Sequence, residues 1–246
     1  MAKLMEQDIQ MIVQTLPKDV KKVLQDNPNK LFLAGGAIRA RITSEPVSDY
    51  DIWGQDKQEL GRLAELFAAK RGVRLMTTEN AHTILTEGRT PVQFITRWVF
   101  DTPPDCVYSF DFTIAGAAVW YSEGVDGSGG WRSYCADTFY ADLAAKRLVY
   151  QMPDRNEDAG GSLMRVQKFL HRGYSISPGN LAKVVARLTM RLHDKYMNCN
   201  EEMRGRIILG LLREVDPLCV VDGVELMVED ARTTDPDLSE YYLSKP

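Results

Sequence analysis

Residues 31–53 read LFLAGGAIRARITSEPVSDYDIW, and the way this stretch divides decides the fold. Leu31, Phe32, Leu33 and Ala34 form a short apolar run that stops at Gly35 and Gly36, the pattern of a buried strand feeding a tight turn. Residues 37–42 are helix-compatible, and residues 50–53 give a second short strand. Asp49 and Asp51 are spaced i, i+2 along it, so both side chains leave one face and can share a ligand. The carboxylates thus follow, by about a dozen residues, a glycine turn whose backbone N–H groups suit a triphosphate.

Upstream, the apolar positions of residues 4–26 have mostly helical spacing interrupted by Pro17, which predicts one or two opening helices. Downstream, residues 57–71 read as a helix with Leu60, Leu63, Ala64, Phe67 and Ala68 on one stripe. Segments 73–77, 83–86, 92–99 and 110–119 are rich in β-branched and aromatic residues and predict strands. EGVDGSGG, residues 123–130, reads as a turn or loop, and from Ala136 onward helical periodicity takes over. Helices are expected over 180–196, with Asn180 as cap and Leu181, Val184, Val185, Leu188 and Leu192 on the apolar stripe, and over 203–215 and 224–231, before a docked or loose tail. The expected class is α+β: a head with a mixed sheet and N-terminal helices over residues 1–135, then a helical neck and C-terminal domain over 136–246.

A chain of 246 residues, 44% hydrophobic and 26% charged, has the composition of ordinary globular proteins and is long enough to build a core without staples. Its amino terminus does not read as a signal peptide and no run approaches a membrane span, so a cytoplasmic protein without membrane partners is expected. Cys106, Cys135, Cys199 and Cys219 form no C-x-x-C pair, which argues for reduced thiols rather than zinc or disulfides. His82, His171 and His193 share no metal-ligand spacing. The net charge of −4 excludes broad coating of nucleic acid, yet Arg165, Lys168, Arg172, Lys183, Arg187 and Arg191 fall in a stretch without acids, a strip suited to phosphates or to a solvated helix face.

Nucleotidyl transfer needs charge neutralised on phosphate oxygens and an attacking group held in line, and two Mg²⁺ ions about 3.5–4 Å apart supply much of that from carboxylate ligands. Asp111, at the start of the apolar run FDFTIAGAAVW, is costly to bury unpaired, and metal binding resolves the cost. Pairing with an arginine resolves it equally. Arg39 follows the glycine turn as a cation for phosphates or as one half of a surface salt bridge. Ser48 reads as a phosphate or turn hydroxyl beside the site, and Tyr50 and Trp53 read as core aromatics rather than base-stacking groups.

Residues 31–53 resemble the opening motif of polymerase β-type nucleotidyltransferases, in which Gly-Gly or Gly-Ser precedes a helix and a metal-binding D-x-D follows. The similarity is greatest to the heads of bacterial poly(A) polymerases and CCA-adding tRNA nucleotidyltransferases, whose D-F-T-I-N-A block corresponds to Asp111, Phe112, Thr113, Ile114, Ala115 and Gly116, the first four identical. ADLAAKRLVY (141–150) resembles the D-L-x-x-K stretch of that head, and LMRVQKFLHRGYSIS (163–177) resembles its neck, with Arg165, Lys168 and Phe169 in matching places. The resemblance covers roughly residues 30–178.

It implies Asp49, Asp51 and Asp111 as catalytic residues and ligands of two Mg²⁺ ions, with Mn²⁺ as an alternative, and Gly35, Gly36, Arg39, Ser48, Arg165 and Lys168 as the nucleotide-binding set. It further implies an NTP substrate, release of pyrophosphate, and an RNA or tRNA 3′ end as acceptor. Three departures bear on specificity. Ser109 and Phe110 stand where two arginines precede the third aspartate, DAGGS (158–162) replaces the base-reading E-D-x-x-R block, and Ala40 replaces the acid after Arg39. The groups that select a base are missing while those that hold metal remain, so a complete CCA-adding enzyme is not expected. A protein or small-molecule hydroxyl as acceptor, and a catalytically silent scaffold of the same fold, remain as alternatives.

Overall fold

The computed structural model describes residues 2–124, 127–151, 159–190 and 199–213. Two amphipathic helices open the chain, α1 (Glu6–Thr15) and α2 (Lys18–Asp26), separated at Pro17, whose fixed φ and missing N–H end one helix and start the next. Then come β1 (Leu31–Ala34), α3 (Gly36–Ile42), β2 (Tyr50–Gly54) and α4 (Lys57–Arg71). Helix α4 covers the expected residues because both its ends are chemically marked. Asp56 accepts a hydrogen bond from the backbone of Glu59 at 2.6 Å, and Gly72 closes the helix with φ of 67°.

Three short strands follow, β3 (Leu75–Thr77), β4 (Ala81–Ile84) and β5 (Val92–Ile95), then α5 (Pro103–Ser109), β6 (Ala117–Glu123) and β7 (Gly129–Cys135). The remainder is α6 (Phe139–Ala144), β8 (Arg147–Leu148), α7 (Ala159–His171), β9 (Ser175–Ile176), α8 (Pro178–Met190) and α9 (Glu201–Arg213). The main sheet has the order β3-β4-β5-β2-β1-β6-β7, antiparallel throughout except for the parallel pair β2–β5, so the class is α+β with a mixed sheet. β8 and β9 pair separately, in parallel.

The register determines where the site lies. Leu33 sits opposite Ile52 on one side and Val119 on the other, and Tyr50 sits opposite Val92. The end of β1 and the starts of β2, β5 and β6 therefore meet at one end of the sheet, which brings together the glycine turn, the D-x-D and the segment leading into β6.

Several expectations need correction. Residues 110–119 are not one strand. Phe112 makes an isolated bridge with Tyr150, Thr113–Ala115 is a single 3-10 turn, and the strand begins only at Ala117. The cause is competition for backbone bonds: Gln151 N–H donates to the Asp111 carbonyl at 2.8 Å and Thr113 N–H to the Val149 carbonyl at 3.1 Å, so this backbone serves residues 149–151 instead of the sheet. The loop expected over 123–130 is the turn of the β6–β7 hairpin, of which residues 125 and 126 lie outside the described residues, and Trp131 to Cys135, not read as a strand, form most of β7. Helix α5 was hidden inside a strand-rich stretch, although Thr102 caps it and Pro103 opens it. On α8, Val184 and Leu188 are buried while Leu181 and Val185 stay exposed, so the apolar stripe is narrower than expected. Leu192, Arg191, His193, Cys219, the helix over 224–231 and the tail lie outside the described residues.

One hydrophobic cluster runs from α1 and α2 through the sheet to Phe169, Tyr174 and Val184 on the neck side. Phe112 is central to this continuity: fully buried, it has its ring 5.5 Å from Tyr150 and 6.3 Å from Phe169, edge-on to the latter. Phe112→Ala should lower the free energy of unfolding by about 3–5 kcal/mol, the cost of removing a fully buried aromatic ring. Urea titration followed by tryptophan fluorescence measures it, and a loss well under 1 kcal/mol would show that the ring does not tie head to neck.

Candidate active site

The glycine turn is built by conformation. Gly35 has φ of 93° and ψ of −139°, a region open to glycine and strained for any L side chain. A Cβ there would also stand 3.2 Å from the Phe110 ring and 3.8 Å from Asp51 Oδ2, so the turn lies tight under an aromatic lid and against a carboxylate. Gly36 opens α3, and its missing side chain leaves space occupied 3.7 Å away by the Arg39 guanidinium.

Asp49 immediately precedes β2 and Asp51 lies within it, and with Trp53 they line a cleft of about 230 Å³ at the meeting of the strand ends. Ser48 Oγ donates to Asp49 Oδ1 at 3.0 Å, and Gln93 Nε2 approaches Asp49 Oδ2 at 3.4 Å. Gln93 was missed by sequence reading. It is a buried polar residue in the apolar strand β5, opposite Asp51, and that break in the pattern was its only signal.

Asp111 reaches the cleft from the segment between α5 and the 3-10 turn and is only 6% exposed. Asp142 anchors that segment: fully buried, it accepts from Thr113 Oγ1 and Thr138 Oγ1, each at 2.6 Å, and from Arg147 Nε at 2.5 Å. Asp142 therefore fixes the loop two residues beyond Asp111. Asp111 itself is held from the neck, where Arg165 Nε on α7 donates to Asp111 Oδ2 at 2.5 Å.

Arg39 lies in the middle of α3 and is buried, so its ion pair with Glu45 is not the solvated surface salt bridge considered for it. Its guanidinium sits 4.8 Å over the Phe169 ring, its Nε has no hydrogen-bond partner, and its nearest acid, Glu45, is 3.8 Å away. Burial pushes its pKa below the ordinary arginine value, and repulsion from Arg172 adds to this, while Glu45, Tyr174 and Asp49 act in the opposite sense. A buried cation so sparsely paired is suited to an anion in the cleft.

Of the residues named from sequence, Gly36, Arg39, Ser48, Asp49, Asp51, Asp111, Arg165 and Lys168 all line this cleft, and Gly35 lies beside it under Phe110. Arg172 and Arg187 of the basic strip join them. Tyr50 is core, its hydroxyl accepting from Arg41 at 2.6 Å, but Trp53, packed between Phe100 and Phe110, also forms cleft wall. Where the resembling family has two arginines, Ser109 donates to the Cys106 carbonyl at 2.5 Å and Phe110 covers Gly35, so neither position offers a charged group.

The donor set fits a hard divalent cation in kind, since three carboxylates open on one cleft and no soft ligand is among them. As they stand, no three His, Cys, Asp or Glu side chains among the described residues are close enough to hold an ion together, and Asp111 faces Arg165. Cys106, Cys135 and Cys199 form no disulfide among the described residues. No described helix is long and apolar enough to cross a membrane.

This arrangement of a mixed sheet, a glycine turn and carboxylates at the strand ends is the nucleotidyltransferase fold. The Thermotoga maritima CCA-adding enzyme complexed with tRNA superposes with a TM-score of 0.50 at 17% identity, covering 89% of this chain and 53% of that one. A CCA-adding enzyme in complex with ATP superposes with a TM-score of 0.51 at 15% identity, covering 81% of this chain and 49% of that one. The chain spans about half the length of these solved structures, and at such identities the likeness is one of fold. No curated protein matches the sequence. The family model described as Gabija anti-defense 2 family protein matches residues 3–146, more than half of the chain, and the chain belongs to that family.

The turn gives a direct test. Gly35→Ala should destabilise the protein by about 1–3 kcal/mol, because alanine is strained at this φ and its methyl must displace Phe110. Thermal or urea unfolding reads the change, and an unaltered midpoint would mean that the turn tolerates another conformation.

Proposed function

We propose that the protein is a nucleotidyltransferase that moves a nucleoside monophosphate from an NTP to an acceptor hydroxyl. The observation that carries this reading is the convergence on one cleft of Asp49, Asp51 and Asp111 with Arg39, Arg165 and Lys168, carboxylates for cations beside cations for phosphates. Asp49 and Asp51 would hold Mg²⁺ or Mn²⁺, with Asp111 joining them. When bound, the ions supply charge neutralisation at the α-phosphate and at the leaving oxygen.

The chain's own groups account for the rest. The Gly35–Gly36 turn and Ser48 lie against the carboxylates, where the triphosphate has to pass, and Arg39 and Lys168 face it from α3 and α7. Asp111 receives the proton of the acceptor hydroxyl. The hydroxyl oxygen bonds to the α-phosphorus, the bond from that phosphorus to the bridging oxygen breaks, and pyrophosphate leaves with the electron pair. Phe110 and Trp53, which close one wall, keep water from competing with the acceptor.

An RNA or tRNA 3′ end is the proposed acceptor, supported by the basic residues Arg172 and Arg187 at the cleft and by the tRNA complex of a solved structure of like fold. The absence of arginines at Ser109 and Phe110 argues against selection of C and A in the manner of a CCA-adding enzyme. The anti-defense description of the family keeps a protein or small-molecule hydroxyl beside the RNA end as the second reading.

Purified protein incubated with Mg²⁺, each α-labelled NTP and RNA, DNA or protein acceptors should label one acceptor class and release pyrophosphate. Asp49→Ala combined with Asp51→Ala should lower transfer at least about 10³-fold, as expected when the groups that organise phosphoryl transfer are removed. Labelling that survives the double substitution refutes the assigned site, and an absence of both transfer and NTP binding favours the scaffold.

A further inference from the structure

Asp111 presents a conflict that the cleft itself resolves. A carboxylate 6% exposed, sharing a cleft with Asp49 and Asp51, is costly to bury without a polar or charged partner at close range. That cation is Arg165, whose Nε lies 2.5 Å from Asp111 Oδ2. The two residues come from different parts of the chain, Asp111 from the loop anchored by Asp142 and Arg165 from helix α7. Their exposure also differs. Asp111 is enclosed and its loop is tied by buried hydrogen bonds, whereas the Arg165 side chain is 32% exposed and ends a long flexible stem.

We propose that Arg165 is a positioning residue that stands in for a divalent cation at Asp111: it neutralises and aims the carboxylate in the metal-free protein and is displaced when the ion arrives. This rests on the reading of Asp111 as a metal carboxylate. The guanidinium and the ion carry like charge and compete for one carboxylate, so they exclude each other at contact distance. Because Asp111 cannot follow the arginine out of its loop, the arginine moves. Lys168, one turn further along α7, lines the same cleft, so the displaced guanidinium stays on the wall where the triphosphate is expected. Ion arrival and phosphate capture are thereby coupled through one side chain.

The test is the affinity of the full chain for Mn²⁺ alone, read from the free-ion electron paramagnetic resonance signal without nucleotide. Arg165→Met, which keeps length and removes charge, should bind Mn²⁺ about tenfold more tightly than the unsubstituted protein, because the ion no longer displaces a competitor. Its unfolding midpoint should fall in chelator and recover with Mn²⁺. Arg165→Gln, which can still donate a hydrogen bond to Asp111, should fold with a smaller loss and also bind the ion more tightly, while Arg165→Lys should bind it much as the unsubstituted protein does. In the Asp111→Asn background the Arg165→Met gain should vanish, a coupling that a merely structural role for Arg165 does not predict. Mn²⁺ affinity that is unchanged or weakened in both neutral variants overturns the proposal. If, in addition, Asp49→Ala with Asp51→Ala still abolishes Mn²⁺ binding, the metal reading of the cleft stands and only the role of Arg165 falls; if no variant binds Mn²⁺, both fall.

Discussion

Three aspartates open on one cleft at the end of the sheet, and the contacts around that cleft hold each of them in place. Ser48 and Gln93 bind Asp49 from either side, the glycine turn lies against Asp51, and Arg165 neutralises Asp111. The loop carrying Asp111 is tied down in turn by Asp142, whose own burial is tolerable only because two hydroxyls and a guanidinium satisfy it. The contacts of Gln93, Thr113 and Arg165 join segments far apart in the chain. The segment carrying Asp111 and helix α7 are consequently not independent, and Phe112, with its ring near Tyr150 and Phe169, packs the same junction with hydrocarbon.

The charge pattern of the cleft is the inverse of the molecule as a whole. A chain of net charge −4 gathers Arg39, Arg165, Lys168, Arg172 and Arg187 around one cleft, together with three aspartates. Long-range attraction of polyanions is therefore weak, while local recognition of phosphate in a partly enclosed space is strong. Arg39 shows this most clearly, since its guanidinium is held in a buried place by the Phe169 ring and one ion pair, with Glu45 at 3.8 Å. Ser109 and Phe110 bring no charge to the cleft, and Phe110 instead serves as the cover of the glycine turn. The cleft is therefore better suited to phosphate than to a base.

What the sequence revealed and what it concealed follow from the range of the interactions. The run Leu31 to Ala34, the Gly-Gly turn, the i, i+2 aspartates and the capped helix Lys57–Arg71 are set by neighbours along the chain, and all were readable. The segment around Asp111 was read as a strand because its composition is that of a strand, but its backbone is claimed by residues 149–151 and its threonine by Asp142, partners some thirty to forty positions away. Arg39 was weighed as a surface residue because nothing local tells that Phe169 folds over it. Gln93 carried only the faint signal of one polar residue in an apolar strand. The pairing of Asp111 with Arg165, one of the alternatives open from sequence, was decided only by three-dimensional proximity.

The central claim is that Asp49, Asp51 and Asp111 jointly bind divalent ions together with an NTP in this cleft. Crystals grown with Mn²⁺ and a non-hydrolysable NTP analogue, with anomalous scattering recorded at the manganese edge, test it most directly. The account predicts manganese peaks bridging the three carboxylates and the triphosphate, with Arg165 turned from Asp111 toward phosphate oxygens. Manganese absent from the three aspartates, or a nucleotide bound away from the glycine turn, would contradict it.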